Sequence, residues 1–536
     1  MFALAIWDQN KGELVLARDQ FGIKPLYYSG IVNHEQGCPI RGFLFASEIR
    51  ALLASELVPR RLDCDGLASY LTYGSVRAPL TMVSGIRSLM PGNLLRVRVA
   101  DGLLTTTEQS YLPEPHSSAS EPVLRTEDNA SPEIPHSRPE AVALLRKNLE
   151  NSISAHLVSD VPLGVFLSGG MDSSALVALI KSISSQTPRT FSVVFDEPQF
   201  SEAPHSRRIA GRFKTDHKEV RLTEDYLLRL LPQAIVSLDQ PTMDGINTFV
   251  ISQAVKKAGI KVALSGVGGD ELFAGYPTFR RALRMASSFS FAKRLLNSAS
   301  GIASRAPATS VQQKKFWQLV ASDGTPEAVC EVTRQLFAPE TVESLMSNSA
   351  AQDLKGSAAW ALTRFSNRNG KPDDPVNVIS RLELQGYLMN TLLRDTDCMS
   401  MANSLEVRVP FVDVPLVSYV LSLPGKWKLN GANSSSPKPL LAEAVCDLLP
   451  SDFLQRPKMG FTLPFERWMQ HRLQPELSDV LENKNATTAA GLNSRETALL
   501  WRRFLETPRR VGWSRPWALY VLAKWCEINQ VKADIS

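Results

Sequence analysis

Apolar and polar positions along the chain change rhythm twice. Up to about residue 112, short apolar strand-like pieces dominate: "MFALAIWD", "ELVLARD", "PLYYSG", "GFLFASE" and "LLRVRV". From about residue 140 to 280, strand-like runs alternate with helical stretches, the pattern of a parallel sheet with helices packed on it. Beyond 280 the chain is mainly amphipathic helix with few strand signals. Residues 113–139 read "PEPHSSASEPVLRTEDNASPEIPHSRP", rich in Pro, Ser and acid. Such a stretch predicts a linker or mobile loop. The chain therefore divides into residues 1–112, a linker over 113–139, and an α/β unit over 140–536 with a helical C-terminal part. No internal repeat of solenoid type is present.

One junction in the α/β unit suggests chemistry. "GVFLSGGMDSSALVALI", residues 164–180, passes from a buried strand through two glycines into a helix. Val165, Phe166 and Leu167 end the strand; Leu176, Leu179, Ile180 and Ile183 recur at the spacing of one helix face. Gly169 and Gly170 let the backbone turn tightly against a ligand. The N–H groups of a helix start, with the positive end of its dipole, make an anion site. Ser168, Ser173 and Ser174 add hydroxyl donors. Asp172 repels phosphate unless a metal lies between them, which points to Mg²⁺ held jointly by carboxylate and phosphates. The lysine that a nucleotide-kinase loop needs after its glycines is absent. The plainer alternative is that Ser and Asp cap the helix.

A second stretch, "IKVALSGVGGDELFAGYPTF" over residues 260–279, repeats the layout. An apolar strand leads into Ser265-Gly266, then Gly268-Gly269 and Asp270-Glu271. Loops at the carboxyl ends of parallel strands line one crevice. Two such loops could hold phosphates from two sides, with Asp172 and Asp270 sharing Mg²⁺. The alternative for Asp270 and Glu271 is charge complementing a helix dipole.

Composition narrows the partners. With 536 residues, 44% hydrophobic and 21% charged, the chain is ordinary globular material of two or more domains. No apolar run reaches the length of a membrane span and no secretory leader pattern opens the chain, so a cytoplasmic location without membrane partners is expected. Six scattered cysteines lack C-x-x-C spacing, so neither a zinc site nor a disulfide framework is indicated. A net charge of +5 is small for this length. Arg502, Arg503, Arg509 and Arg510 read as a solvated face rather than a nucleic-acid footprint.

"LSGGMDSSALVA" resembles the S-G-G-x-D-S pyrophosphatase loop of the N-type ATP pyrophosphatases. "DQPTMDGINTFVISQAVKKAGIKVALSGVGGDELFAGYP", "LLRDTDCMSMANSLEVRVPFVD" and "RPKMGFTLPFERW" are similar to segments of bacterial asparagine synthetases. "MFALAIWDQNKGELVLARDQFGIKPLYY" resembles the second half of that family's glutaminase domain. The resemblance implies a partial β-rich, Ntn-type (class II) glutamine amidotransferase domain before a parallel-sheet synthetase domain of the adenine nucleotide α-hydrolase-like fold. It implies that ATP adenylates the β-carboxylate of aspartate, pyrophosphate leaves, and ammonia displaces AMP to give asparagine, with glutamine as the usual nitrogen source. It also allows a homodimer. Nucleotide contacts carry over to Leu167, Ser168, Val193, Ser265 and Gly266. Pyrophosphate contacts carry over to Ser168, Gly169, Gly170, Asp172 and Ser173. Lys458 matches a family lysine that stabilises charge developing on the phosphates, and Asp172 and Asp270 are the expected Mg²⁺ ligands. Arg394, Asp395 and Asp397 sit in a family motif, but could equally form a buried ion-pair network.

Two departures qualify the resemblance. Met1-Phe2-Ala3-Leu4-Ala5 aligns with the interior of the glutaminase domain, whose cysteine nucleophile, substrate-binding arginine and oxyanion loop would precede it. Cys38 and Cys64 lie in the wrong context to replace that nucleophile. The chain as written is expected not to hydrolyse glutamine, being either a fragment, the favoured reading, or an ammonia-dependent enzyme. The second departure is Val267, where asparagine synthetases carry a glutamate that assists the intermediate's formation and ammonia's attack. Asp244 and Glu271 are the candidates to replace it, or the acceptor carboxylate differs, as in a sugar, peptide or β-lactam pathway. An inactive interaction module on the same fold is the remaining alternative, against which the intact Ser168, Asp172, Asp270 and Lys458 argue.

Overall fold

The computed structural model describes residues 1–31, 42–100, 103–112, 135–195, 202–296, 315, 317–319, 322, 324–353, 374–430, 436–454 and 464–534. Most of the expected linker, residues 113–134, lies outside the described residues, as do Cys38 and Lys458. Backbone structure resumes with the helix Arg138–Leu157, whose N-cap Ser137 accepts a hydrogen bond from the Glu140 amide.

The strand-like pieces near the amino end form two antiparallel sheets. Strands β1 (Ala3–Asp8), β2 (Glu13–Arg18), β6 (Asn93–Ala100) and β7 (Leu103–Ser110) make one, in the order β1-β2-β6-β7. Strands β3 (Tyr27–Ile31), β4 (Gly42–Ala46) and β5 (Arg87–Ser88) make the other, in the order β4-β3-β5. Period-two alternation turns Leu16, Leu95 and Val97 inward, where they meet Leu26 and Leu89 in a small core.

The larger unit is organised by a five-stranded parallel sheet. Its members are β8 (Leu163–Phe166), β9 (Arg189–Phe195), β10 (Asp216–Leu222), β11 (Val262–Leu264) and β12 (Glu406–Arg408), in the order β10-β9-β8-β11-β12. The chain builds outward from β8 to β9 and β10, then crosses back to place β11 on the other side of β8. The direction of winding reverses between β8 and β11, and in such sheets the crevice opens beyond the carboxyl ends of those strands. Strand β12 lies in the region after residue 280 that the sequence pattern predicts to be mainly helical with few strand signals. At three residues it is too short to show a period, and it owes its conformation to pairing with β11, Val262 opposite Glu406 and Leu264 opposite Arg408.

The helix Met171–Ile183 buries Leu176, Leu179 and Ile180 as its spacing requires, with Val177 and Ala178 also covered. The C-terminal helix Ser514–Asn529 is buried nearly all round, an arrangement that its Trp517, Tyr520, Leu522 and Trp525 demand. It packs between the two parts of the chain. Tyr70 of the helix Cys64–Tyr73 donates its hydroxyl to the Ala518 carbonyl at 2.8 Å, and Trp525 donates its indole N–H to the Leu238 carbonyl at 3.1 Å. Residues from both parts thus share one hydrophobic core. Arg502, Arg503, Arg509 and Arg510 are exposed, and Arg502 pairs with Glu482 at 2.8 Å. No described helix is long and apolar enough to cross a membrane.

The shared core generates a stability prediction. Trp525→Ala removes a fully buried indole and leaves the Leu238 carbonyl without its donor, so it should cost ~3–5 kcal/mol. Urea denaturation of the full chain would register this as a lower midpoint; an unchanged midpoint would mean that this helix does not tie the two parts together.

Candidate functional site

Where the sheet reverses, the two Ser-Gly loops meet. Strands β8 and β11 pair directly, Leu264 opposite Val165, so the loops that follow emerge side by side. Leu167 continues past β8 and donates its amide to the Phe191 carbonyl at 2.8 Å, while Ser265 donates to the Arg408 carbonyl at 2.8 Å. The chain then turns at Gly169 with a φ of +81°, a conformation glycine adopts without strain. Gly170 is the N-cap of Met171–Ile183, and no side chain caps that end. The Asp172 carboxylate reaches across the crevice to the Lys438 ammonium. Ser168 and Ser173 place their hydroxyl oxygens 3.0 Å apart, and Ser168 Oγ accepts the Gly170 amide at 3.2 Å.

Across the crevice the helix Gly269–Leu272 presents Asp270. The approach leaves no room at Gly269, where an added Cβ would stand 2.6 Å from Asp172 Cγ. Both aspartates contact one cation that sequence reasoning missed, the ammonium of Lys438, which pairs with Asp172 and lies 2.7 Å from Asp270 Oδ1. Burial alone would lower the pKa of this amine, but the charges of Asp172 and Asp270 more than offset that and raise it. One signal for Lys438 exists in the sequence. It is the N-cap of the helix Pro439–Ala444, where the dipole disfavours a cation.

A cavity of about 460 Å³ joins these parts. Among the sequence-derived candidates, Leu167, Ser168, Gly170, Asp172, Ser173, Val193, Ser265, Gly266 and Asp270 all line it. Gly169 shapes the turn behind them, close against His205 and Ser206. Lys458 belongs to a segment outside the described residues.

Asn247, Thr248, Val267, Glu271, Tyr276 and Tyr387 line the same cavity. Glu271 is 1% exposed and accepts a 2.5 Å hydrogen bond from the Tyr276 hydroxyl. Burial, and then the charge of Asp270, push its carboxyl up to about 7. The guanidinium of Arg334 stacks on Tyr276 and Tyr387, 4.6 and 4.2 Å from their ring centres. Arg334 is itself held by buried Glu383 at 2.6 Å. The Tyr387 hydroxyl lies 3.4 Å from Asp244 Oδ2, and burial raises the pKa of Asp244 too. The two candidates to replace the acid missing at Val267 are thus separated: Glu271 lines the cavity and Asp244 stands behind Tyr387.

Tyr387 belongs to a π-helical stretch, Leu384–Leu393, which opens into the helix Arg394–Met401. Such wide turns concentrate at functional sites. Arg394 lies 3.6 Å from Asp395, whose other oxygen accepts from Thr242 at 2.7 Å, and burial pushes Asp395 up to about 7. Asp397 pairs with Lys24 of the amino-terminal part at 2.7 Å. Arg394, Asp395 and Asp397 therefore form ion-pair contacts beside the site, and Thr396 of the same run faces the cavity.

Chemically, the arrangement offers a helix start and serine hydroxyls for an anion, two converging carboxylates for a cation, and a buried acid–base group. Two carboxylates focused on one point are hard oxygen donors suited to Mg²⁺ that takes its other ligands from phosphate and water. Among the described residues no group of three or more His, Cys, Asp or Glu could hold a metal alone, so such an ion would depend on the nucleotide.

Comparison with known proteins agrees on family. The asparagine synthase family model matches residues 144–527, and a glutamine amidotransferase domain model matches residues 1–111. Asparagine synthetase [glutamine-hydrolyzing] 1 of Bacillus subtilis is 27% identical over 484 residues, 90% of this chain and 70% of that protein. A putative asparagine synthetase [glutamine-hydrolyzing] of Mycobacterium tuberculosis is 30% identical over 486 residues, 88% of this chain and 68% of that protein. Amidase chry2 of Gibberella zeae is 24% identical over 519 residues, 90% of this chain and 72% of that protein.

The close approach of the two loops is testable. Gly269→Ala forces Asp172 or the Gly269 backbone to move, which should cost ~1–3 kcal/mol of stability and weaken binding of an ATP analogue. Thermal melting with and without the analogue reads both; a variant that melts and binds like the parent would contradict the packing of Gly269 on Asp172.

Proposed function

This chain belongs to the asparagine synthase family, and from that premise we propose that it forms an amide by adenylating the β-carboxylate of aspartate and transferring the acyl group to ammonia. A carboxylate oxygen attacks the α-phosphorus of ATP, the bond to the bridging oxygen breaks, and pyrophosphate leaves. Ammonia then attacks the acyl carbon, loses a proton, and expels AMP, giving asparagine. The observation that carries this reading is the meeting of two Ser-Gly loops at the reversal of a parallel sheet, with Asp172 and Asp270 facing one point.

Each residue has a task that follows from its position. Ser168, Gly169, Gly170 and Ser173, with the helix start behind them, hold the β- and γ-phosphates as they become pyrophosphate. Leu167, Val193, Ser265 and Gly266 line the wall for the rest of the nucleotide. Mg²⁺ held by Asp172 and Asp270 would neutralise charge on the phosphates. Lys458, by its family motif, adds positive charge to the leaving group. Glu271 takes the proton from the attacking amine, the work that Val267 cannot do. Its position on the cavity and its pKa of about 7 support this role.

A different acceptor carboxylate is a second reading, and one observation favours it. Among the described residues lining the cavity the one cationic side chain is Lys438, which is engaged by Asp172 and Asp270, so no other cation meets the α-carboxylate of aspartate. Pyrophosphate release with Mg-ATP, aspartate and ammonium, with asparagine as the detected product, decides between the two. Release with asparagine formed supports aspartate. Bound ATP with no release would reject aspartate and leave the acceptor to be found among other carboxylates.

Glu271→Gln should lower amide formation by ~10²–10⁴-fold while isotope exchange between pyrophosphate and ATP persists. A base must be ionised, so the parent's rate should rise with pH through about 7 and the variant should lack that rise. Equal losses in exchange and in amide formation would sink the assignment of Glu271 to the second step.

A further inference from the structure

The position that suits a metal is filled by the chain's own cation. The Lys438 side chain is 4% exposed, and its ammonium contacts both Asp172 and Asp270. Two carboxylates that converge in a half-buried crevice repel one another unless a positive charge stands between them. Lys438 supplies that charge. The contact is also shaped by Gly275, where an added Cβ would collide with both Asp270 Oδ1 and Lys438 Cε. Ser168, Gly170 and Ser173 line the same cavity as the lysine, which already pairs with Asp172 of that loop's helix, so a phosphate seated on that loop lies within the sweep of its four-carbon stem.

We propose that Lys438 is the resident counter-ion of the Asp172–Asp270 pair in the nucleotide-free protein, and that it yields this place to a divalent cation by moving onto the phosphates that arrive with it. The inference rests on the ATP-binding reading of the loops. A metal arriving alone must break the pairing of a buried ammonium with two carboxylates and brings it no oxyanion in return. A metal arriving with nucleotide releases the ammonium to an oxyanion that accepts a charge-assisted hydrogen bond. Metal and nucleotide therefore bind with positive coupling, equal in both directions, and Lys438 makes binding of bare metal weak.

Mn²⁺ serves as the probe, titrated into the full chain by electron paramagnetic resonance with and without α,β-methylene-ATP. In the parent, the analogue should tighten Mn²⁺ binding by about tenfold or more. In Lys438→Met, Mn²⁺ alone should bind about tenfold or more tighter than in the parent, and the effect of the analogue should shrink. Lys438→Gln should behave in the same way, and adding Asp270→Asn to Lys438→Met should abolish the gain. Thermal melting establishes that each variant is folded. A folded Lys438→Met that binds Mn²⁺ alone no tighter than the parent overturns the proposal. A measurement on the parent chain decides the case without substitutions: saturating Mn²⁺ should increase acylation of the Lys438 amine, read by peptide mass spectrometry, and unchanged labelling counts against displacement. If the analogue fails to bind while Mn²⁺ still competes with Lys438, the ATP reading falls and the counter-ion role stands.

Discussion

The site depends on one pairing, that of β8 with β11. Three residues on each strand lie side by side in parallel register, and this alone brings together loops almost a hundred residues apart in sequence. The pairing needs small residues at its edges. Gly164 lies under the Phe191 ring, where an added Cβ would stand 2.8 Å from Phe191 Cε2. Gly266 and Gly269 then let the second loop close on Asp172. Because the winding of the sheet reverses here, no crossover helix fills the space beyond these strand ends, and the cavity is what remains. Substrate geometry is thus a consequence of strand order rather than of any local sequence signal.

That distinction explains what could be read from the sequence. The strands β1 to β4, β6, β8 and β11 show in the apolar pattern because each has enough residues, or sharp enough flanking glycines, to display it. The loops show because Ser, Gly and Asp in a fixed order between a strand and a helix have few other uses. β12 was not legible as a strand: Glu406–Arg408 has three residues, and partner pairing gives it its conformation. The acceptor end was legible only in part. Glu271 and Asp244 could be named as carboxylates near the second loop. Their division into one that lines the cavity and one behind Tyr387 comes from a π-helical stretch whose sequence, "LQGYLMNTLL", looks like ordinary helix. Lys438 stayed hidden because a lysine near a helix start belongs to solvent in most proteins, and only tertiary folding carries it to the two aspartates.

Burial gives the acceptor end its chemical character. Burial pushes Glu271, Asp244 and Asp395 each towards its neutral form. A carboxyl in its neutral form can donate as well as accept a proton. Arg334 does not relieve this, because its charge is committed to Glu383 and its flat faces to Tyr276 and Tyr387. Its effect is to fix two phenol groups in place, one aimed at Glu271 and the other at Asp244. An acid–base group is most useful when its proton partner cannot drift, and a guanidinium clamped from beneath by a buried carboxylate gives the ring pair little freedom.

The run Arg394–Asp397 connects this environment to the amino-terminal part. Arg394 donates to the Val76 carbonyl at 3.1 Å and Asp397 accepts from Lys24 at 2.7 Å, so both residues are anchored outside the parallel-sheet unit. Between them Asp395 holds Thr242, two residues from Asp244, and Thr396 faces the cavity. The outer two residues of this run therefore answer to the amino-terminal part and the inner two to the site. The loops at the strand ends are thus held by the pairing of β8 with β11, and the run Arg394–Asp397 by contacts reaching across the chain.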